Sequence, residues 1–441
     1  MLRAAVAANP MNDIIERLLK GVDLPRMVRA RQVFPDAALP DVAAAVREQV
    51  RAPAIASLIR PGMSIAVAAG SRGLAELPLL VRTLVEELRH AKAFPFIVPA
   101  MGSHGGATAE GQVELLAALG VTEASAGCAI RSSMEVAEID RLPNGLPVYM
   151  DANALAADGI VVLNRVKPHT SFSGPNESGL AKMLSIGLGK QKGAESCHAL
   201  GFATMAQNVT EMARIKLART KVLFGLATVE NAYERLAVVE AVPAARLLER
   251  DAALLEAARG LMPRLLFNPL DVLVIDRMGK EFSGTGMDPN ITGRASTAYI
   301  QTTQRVNRMV VLDLTDRSKG NATGMGLADV CTRRLFDKID FAPTYANHIT
   351  AAVIGHAKIP MLMETDRRAV QVAVRTSNVP DLKRLRVMHI PNTLHLEHVE
   401  ISEGLLEEAR GRSDIEIRGE PRDWSFDAAG ALANLGDWAA H

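Results

Sequence analysis

Short apolar runs alternate along the chain with stretches in which apolar residues recur every three or four positions. The first pattern is typical of buried strands and the second of amphipathic helices. In the N-terminal half it predicts strands at 64–69, 94–100, 159–163 and 221–226, and helices over 77–88, 109–119 and 202–218. Pro95 and Pro99 near the ends of the second strand favour a sheet edge or a short strand over a long central one, since proline cannot donate to a central ladder. The alternation predicts an α/β fold.

The second half repeats this alternation after a charged helix over 246–261 and two prolines, Pro263 and Pro269, that indicate a linker. The pattern predicts strands at 271–275, 309–314, 369–374 and 385–389, and helices near 326–340 and 402–409. We therefore expect two α/β domains, residues 1–265 and 266–441. The first would carry the cofactor and the acid–base residues, and the second would close over the substrate. The active site would lie in the cleft between them.

Composition excludes several classes of protein. Fifty basic and 49 acidic residues leave a net charge of +1, and aromatic residues make up 4% of the 441, so neither nucleic acid nor an anionic membrane is an expected partner. No apolar run approaches the ~20 residues of a membrane helix. Cys128, Cys197 and Cys331 lie too far apart for a thiolate zinc site, and their odd number argues against a disulfide framework. We expect a cytoplasmic protein.

Two glycine-flanked loops follow the first two predicted strands, at the carboxyl ends where open α/β sheets bind ligands. The first carries Ser71 and Arg72 between two glycines, and an arginine there can clamp a phosphate or carboxylate; a plain surface turn is the alternative. The second carries His104, which exchanges a proton near neutral pH. A capping or solvated histidine is the alternative for that position.

A third loop, residues 164–174, joins a buried strand to a Gly/Ser-rich segment. It contains Arg165, Lys167 and His169 within five positions. A charge run is usually a solvated face, but this one follows an apolar strand directly. The position therefore indicates a binding site.

A fourth segment begins with Lys182 among apolar neighbours and ends with His198. Desolvation lowers the pKa of a lysine and makes its amine nucleophilic; a lysine whose stem follows the surface is the alternative. The Gly187–Lys190 stretch is not a P-loop, because Gln191 stands where serine or threonine is required. His198 alone is an ordinary residue.

Four features carry a resemblance to a known family: Ser71-Arg72, the His104 loop, Pro168-His169, and Lys182 with His198 sixteen residues later. In order and spacing this set resembles the nickel-pincer lactate racemase family, the nickel-dependent 2-hydroxyacid racemases and epimerases. The similarity spans about residues 60–200 and is weaker over 271–296. It implies an isomerase of a 2-hydroxy acid, served by accessory enzymes that supply its cofactor.

In that family the cofactor is a pyridinium mononucleotide whose two sulfur-containing carbonyl arms hold nickel. The resemblance implies that Lys182 binds this cofactor covalently and that His198 coordinates the nickel. It also implies that His104 and His169 are the acid and the base. Two bases suit the chemistry, because the alcohol proton leaves from opposite sides in the two enantiomers and hydride can return to either face of a planar ketone.

The same resemblance assigns cofactor contacts to Ser71 and Arg72, and substrate contacts to Arg72, Thr292 and Arg294. The sequence departs from the family pattern at two places. Ala69 and Gly70 precede the Ser71-Arg72 pair where the family typically has an acidic residue, which implies different phosphate or ribose contacts. The segment Asp288-Pro289-Asn290 is not followed by the tyrosine and lysine of lactate racemases, which affects the expected substrate. Arg294 is the nearby cation that remains. We therefore expect a hydroxyacid larger or more polar than lactate.

Two other functions stay open on the sequence alone. His104, His169 and His198 are able to bind zinc or another divalent ion, as in a hydrolase or lyase. Alternatively, the protein is a non-catalytic binder of a nucleotide-like ligand. Bound zinc with unmodified Lys182 favours the first alternative, and ligand binding without turnover favours the second.

Overall fold

The computed structural model describes residues 10–71, 73–433 and 438. The strands are β1 Met27–Gln32, β2 Ser64–Ala69, β3 Phe94–Pro99, β4 Val136–Arg141, β5 Pro147–Asp151, β6 Gly159–Arg165, β7 Val222–Glu230, β8 Leu236–Pro243, β9 Leu270–Met278, β10 Val306–Leu314, β11 Val330–Thr332, β12 Met361–Met363, β13 Val387–Ile390, β14 His398–Ser402 and β15 Ile415–Arg422.

The α-helices are α1 Pro10–Leu19, α2 Val42–Arg51, α3 Pro53–Ala56, α4 Leu77–His90, α5 Ala109–Ala118, α6 Glu123–Ala126, α7 Ala152–Ala156, α8 Leu180–Ser185, α9 Lys190–His198, α10 Met205–Arg219, α11 Leu247–Leu261, α12 Pro289–Thr292, α13 Arg333–Asp337, α14 Phe341–Thr350, α15 Asp366–Thr376 and α16 Leu406–Arg410. Within the described ranges, no helix is both long enough and apolar enough to cross a membrane. The fold is mixed α/β with two main sheets.

The chain forms two compact units. The N-terminal unit contains Pro35–Met262 and Thr297–Gln301, and the C-terminal unit contains the remaining ranges, including residues up to Phe34. These units are discontinuous in sequence, whereas the predicted division at residue 265 is continuous. The functional division into domains stays a prediction.

The N-terminal unit is built on a five-stranded sheet in the order β3-β2-β6-β7-β8. The first four strands are parallel and β8 is antiparallel to β7. The proline-containing strand β3 lies at the edge, as predicted. Helix α4 buries Leu80, Leu84 and Leu88 in one core with the sheet, because residues three or four apart share one helix face. The spacing of apolar residues in the sequence predicted this helix correctly.

The C-terminal unit contains an eight-stranded sheet in the order β12-β11-β10-β9-β13-β14-β1-β15. Strands β12 to β13 in this order are parallel, and the last three are antiparallel to their neighbours. Strand β1, near the start of the chain, pairs with β14 and β15. Pairing over so long a sequence separation leaves no local pattern, so the sequence did not predict it.

One predicted strand of this unit was wrong. Residues 369–374 belong to helix α15, whose N-cap Thr365 accepts a hydrogen bond from the backbone of Arg368. The valine-rich run suggested a strand, because β-branched residues favour extended backbone. Residues 369–374 and the charged residues before them form one amphipathic helix. The apolar side chains of this helix pack in one hydrophobic core with the sheet. Packing against the sheet therefore outweighed the preference of the valines for extended backbone.

A buried row of charges crosses the eight-stranded sheet. His389 on β13 lies opposite Glu400 on β14, and on β9 it lies opposite Val274, two residues before Asp276. Its Nε2 lies 2.5 Å from Asp276 Oδ1 and its Nδ1 2.9 Å from Glu400 Oε2. Burial alone would lower the pKa of His389, but the two carboxylates raise it to about 10. His389 is therefore an imidazolium held between two anions.

We expect stability to depend on this charge in a defined pH window. The folded pKa of His389 lies above its unfolded value, so its contribution is complete below pH ~6.5 and is lost as the pH rises through about 10. In urea unfolding, the difference in free energy between wild type and His389→Gln should shrink across that window by a few kcal/mol, at ~1.4 kcal/mol per pH unit. His90→Gln, at an exposed side chain, is the control. A constant difference from pH 6 to 10 contradicts the assignment.

Candidate active site

Loops that follow β2, β3 and β6 meet around one segment, residues 179–187. A Cβ on Gly70 would lie 2.8 Å from Met183 Cε, so the first loop passes directly over helix α8. The backbone N–H of Gly102 donates to Gly187 O at 3.3 Å. The side chain of Asn164 donates to Gly179 O at 2.7 Å. The carboxyl edge of the parallel strands therefore gathers the sequence-predicted loops around the segment that contains Lys182.

Helix α8 carries Lys182 and is held at its N-terminus by Asp251 on α11. The Asp251 carboxylate accepts the backbone N–H of Leu180 at 2.7 Å and the side-chain amide of Asn176 at 3.1 Å. Burial raises the pKa of Asp251, and these hydrogen bonds act in the opposite direction. Gly179 leaves room for the carboxylate, since a Cβ there would lie 2.1 Å from Asp251 Oδ1.

The other end of α8 is held by a buried lysine. Lys216 Nζ donates to Leu184 O at 2.7 Å and to Ser185 O at 3.2 Å. These carbonyls belong to the last turn of the helix, where a cation is favourable. Burial lowers the pKa of Lys216 to about 7. A six-residue helix is thus fixed at both ends by buried polar side chains.

A second buried lysine supports the His104 loop. Lys190 Nζ donates to Pro99 O at 2.5 Å and to Gln112 Oε1 at 2.9 Å, and it lies 3.4 Å from Asp151 Oδ2. The Gln112 amide donates in turn to Gly102 O and to His104 O. Lys190 is therefore internal to the protein, which agrees with rejecting a P-loop at this position.

The His104 ring is exposed and contacts the first loop. Its Nδ1 forms a hydrogen bond with Ser71 Oγ. Two of the predicted residues are thus neighbours, although 33 positions separate them. Arg72 lies outside the described residues.

The His169 ring is oriented by its own loop. Its Nδ1 accepts the backbone N–H of Ser171 at 3.0 Å, which places the proton of the neutral ring on Nε2. Its backbone N–H donates to the buried Glu177 at 2.7 Å. Glu177 also accepts the Gly174 N–H and pairs with Arg259 at 2.6 Å. The loop is therefore fixed by a carboxylate that the sequence did not single out.

A line of aromatic rings joins His169 to His198. The His169 and Phe172 centroids are 4.3 Å apart, those of Phe172 and Phe202 6.5 Å, and those of Phe202 and His198 5.6 Å. The last contact is edge-to-face. The two histidines thus border one apolar wall of Phe172 and Phe202, which limits the access of water to the space beside it.

His198 has the properties of a metal ligand. Burial, and then the charge of Lys182, lower its pKa to about 4, so the imidazole is neutral at pH 7. Its Nδ1 is buried and has no hydrogen-bond partner among the described residues. A buried polar atom without a partner is costly unless a ligand satisfies it. A neutral imidazole nitrogen is a good ligand for nickel.

The two predicted substrate residues of the second domain lie in the C-terminal unit. Thr292 is buried at the end of α12, where its hydroxyl donates to Asp288 O at 3.2 Å. The Arg294 guanidinium forms two hydrogen bonds with Asp329, at 3.2 and 2.5 Å. A substrate carboxylate would compete with Asp329 for this arginine. The roles of both residues stay predictions.

The zinc-type alternative requires several ligands close together. In the ranges that the structure describes, no group of three or more histidine, cysteine, aspartate or glutamate side chains is placed to hold a metal ion. His198 contributes a single buried imidazole.

We expect the Gly179–Asp251 contact to be intolerant of one methyl group. Gly179→Ala would displace the carboxylate from the N-terminus of α8 and leave buried groups unpaired, which should lower the free energy of unfolding by about 1–3 kcal/mol in urea. Gly73→Ala is the matched control, because nothing lies within 4 Å of the position that its methyl group would occupy. Equal unfolding midpoints for the two variants would contradict this packing.

Comparison with known proteins finds a similarity over part of the chain. Residues 23–210 match the family model of the lactate racemase N-terminal domain. No curated protein matches the chain. Among solved structures, the lactate racemase apoprotein from Thermoanaerobacterium thermosaccharolyticum has a TM-score of 0.43 and 14% identity, covering 64% of this chain and 74% of that one. A Thermotoga maritima protein has a TM-score of 0.43 and 14% identity, covering 62% and 71%. Residues 23–210 are thus similar to the N-terminal domain of lactate racemases.

Proposed function

We propose that the protein is a nickel-pincer-nucleotide-dependent racemase or epimerase of a 2-hydroxy acid other than lactate, and thus an isomerase. One observation carries the proposal. His198 offers a neutral, buried, unpartnered nitrogen within electrostatic reach of Lys182. The match of residues 23–210 to the lactate racemase N-terminal domain supports the same reaction class. Enzymes that make the cofactor would be its partners.

Lys182 and His198 fit the cofactor. The Lys182 amine would bind it covalently, and His198 would coordinate nickel through the nitrogen that lacks a protein partner. When bound, the cofactor supplies an electrophilic centre that accepts hydride from the alcohol carbon. The protein contributes a rigid position for Lys182, since this residue lies on a helix anchored at each end.

His104 and His169 would move the alcohol proton. His104 is oriented by Ser71 and His169 by the backbone of Ser171. An imidazole is suited to accept and return a proton, as reversible oxidation of an alcohol requires. With one imidazole on each side of the substrate, either enantiomer finds a base and its product finds an acid.

The substrate carboxylate would be held by arginine. Arg72 follows Ser71 directly in the first loop. Arg294 and Thr292 would contribute from the second domain, with the active site in a cleft between the domains. The missing tyrosine and lysine after Asp288-Pro289-Asn290 favour a hydroxyacid larger or more polar than lactate.

We expect Lys182→Ala to abolish covalent cofactor attachment. Protein made in cells that supply the pincer cofactor should show an added mass and bound nickel, and the variant should show neither. Lys192→Ala, at an exposed lysine of α9, is the control and should retain both. Wild-type protein without adduct and nickel would overturn the proposal.

We expect His104→Gln and His169→Gln each to remove interconversion while the cofactor stays attached. Loss of a general acid–base group costs about 10²–10⁴-fold in rate. Chiral chromatography of a panel of 2-hydroxy acids measures turnover, and intact mass measures attachment. Full activity in either variant would contradict the two-base mechanism.

A further inference from the structure

The C-terminal unit contains a cavity of about 170 Å³. Both tryptophans of the chain, Trp424 and Trp438, line it together with His389. None of the residues proposed above for cofactor, substrate or proton transfer lines this cavity. It is a separate feature of the molecule, formed over the buried charge row of the eight-stranded sheet.

The indole rings provide an apolar wall. Their centroids lie 5.2 Å (Trp424) and 4.9 Å (Trp438) from that of His389. The indole N–H of Trp424 donates to Pro25 O at 3.0 Å, and that of Trp438 donates to Asp276 Oδ2 at 2.6 Å. Because the protein already uses both N–H groups, the rings offer a ligand their carbon atoms. Such a wall suits a planar apolar group.

The charged groups on the lining are four basic side chains and two carboxylates: His389, Arg29, Arg418, Arg422, Glu400 and Asp423. Asp276 and Glu416 lie outside the lining and pair with His389 and Arg418, so the charges balance and the binding of an anion depends on the remaining donors of the arginines. Arg418 pairs with Glu416 at 2.7 Å, and Arg422 pairs with Glu400. A guanidinium has five N–H donors, and pairing with one carboxylate uses at most two of them. With 46% and 45% of their side chains exposed, Arg418 and Arg422 are accessible to an anion.

We propose that this cavity is a binding site for a small aryl carboxylate. The tryptophans would contact the ring, and Arg418 and Arg422 would bind the carboxylate by charge-assisted hydrogen bonds. The volume is below the ~300 Å³ of sites for drug-sized ligands, so it admits one ring and a short acid arm.

Phenylacetate is the probe, and the fluorescence of the two tryptophans is the readout. Titration of the full chain without cofactor should give a saturable change with a midpoint on the order of 1 mM, as expected for a ligand of this size. Phenylacetamide, which has the same shape without the charge, and acetate, which has the charge without the ring, should give no saturable change. The measurement does not depend on racemase activity.

The double variant Arg418→Gln/Arg422→Gln should raise the midpoint at least tenfold. Arg410→Gln, at an exposed arginine of α16, should leave it unchanged. Equal thermal unfolding midpoints for the variants and wild type establish that each is folded. No saturable change with phenylacetate, an equal response to phenylacetamide or acetate, or an unaltered midpoint in the double variant would overturn the proposal.

Discussion

The carboxylate of Asp251 accepts the N–H groups of Leu180 and Ala181 and the amide of Asn176. Helix α8 spans six residues, and a helix this short has little stability of its own in water. Its first N–H groups need partners, and its N-cap residue, Gly179, has no side chain to provide them. The position of Lys182 therefore depends on an acid about 70 residues away in sequence.

Two buried lysines complete the arrangement that Asp251 begins. Lys216 satisfies the last carbonyls of α8, and Lys190, through Gln112, holds the backbone of the His104 loop. Burying a polar or charged group is costly unless it is hydrogen-bonded. Each lysine therefore stabilises the backbone conformation that provides its hydrogen-bond acceptors. Buried polar side chains thus position Lys182 and the His104 loop, whereas the apolar rings of Phe172 and Phe202 lie beside His169 and His198.

The sequence predicted the parts of the site that obey local rules. Ser71, His104 and His169 follow strand ends, and a parallel sheet brings its carboxyl ends to one edge. The approach of these loops to the segment that contains Lys182 therefore followed from the order of elements. The long-range anchors Asp251 and Glu177 were not predicted. Asp251 did leave a signal, because helical spacing places it on the same buried face as the apolar residues of α11.

No pattern in the sequence indicated that β1 pairs with β14 and β15. The valine-rich sequence of helix α15 wrongly indicated a strand. In both cases packing across the C-terminal unit determined the structure, whereas local propensity is a weak guide. The predicted contacts of Arg294 illustrate the same limit. The sequence shows that Arg294 is charged, but it does not show that Arg294 pairs with Asp329, which is 35 residues away.

The central claim is that Asp251 holds Lys182 in the position that cofactor attachment requires. Intact mass and nickel content of Asp251→Ala, produced with the pincer cofactor supplied, test it most directly. Glu249→Ala, at an exposed acid on the same helix, is the matched control. The account predicts that Glu249→Ala retains the adduct and nickel, whereas folded Asp251→Ala loses most of both. Full loading of Asp251→Ala would contradict it.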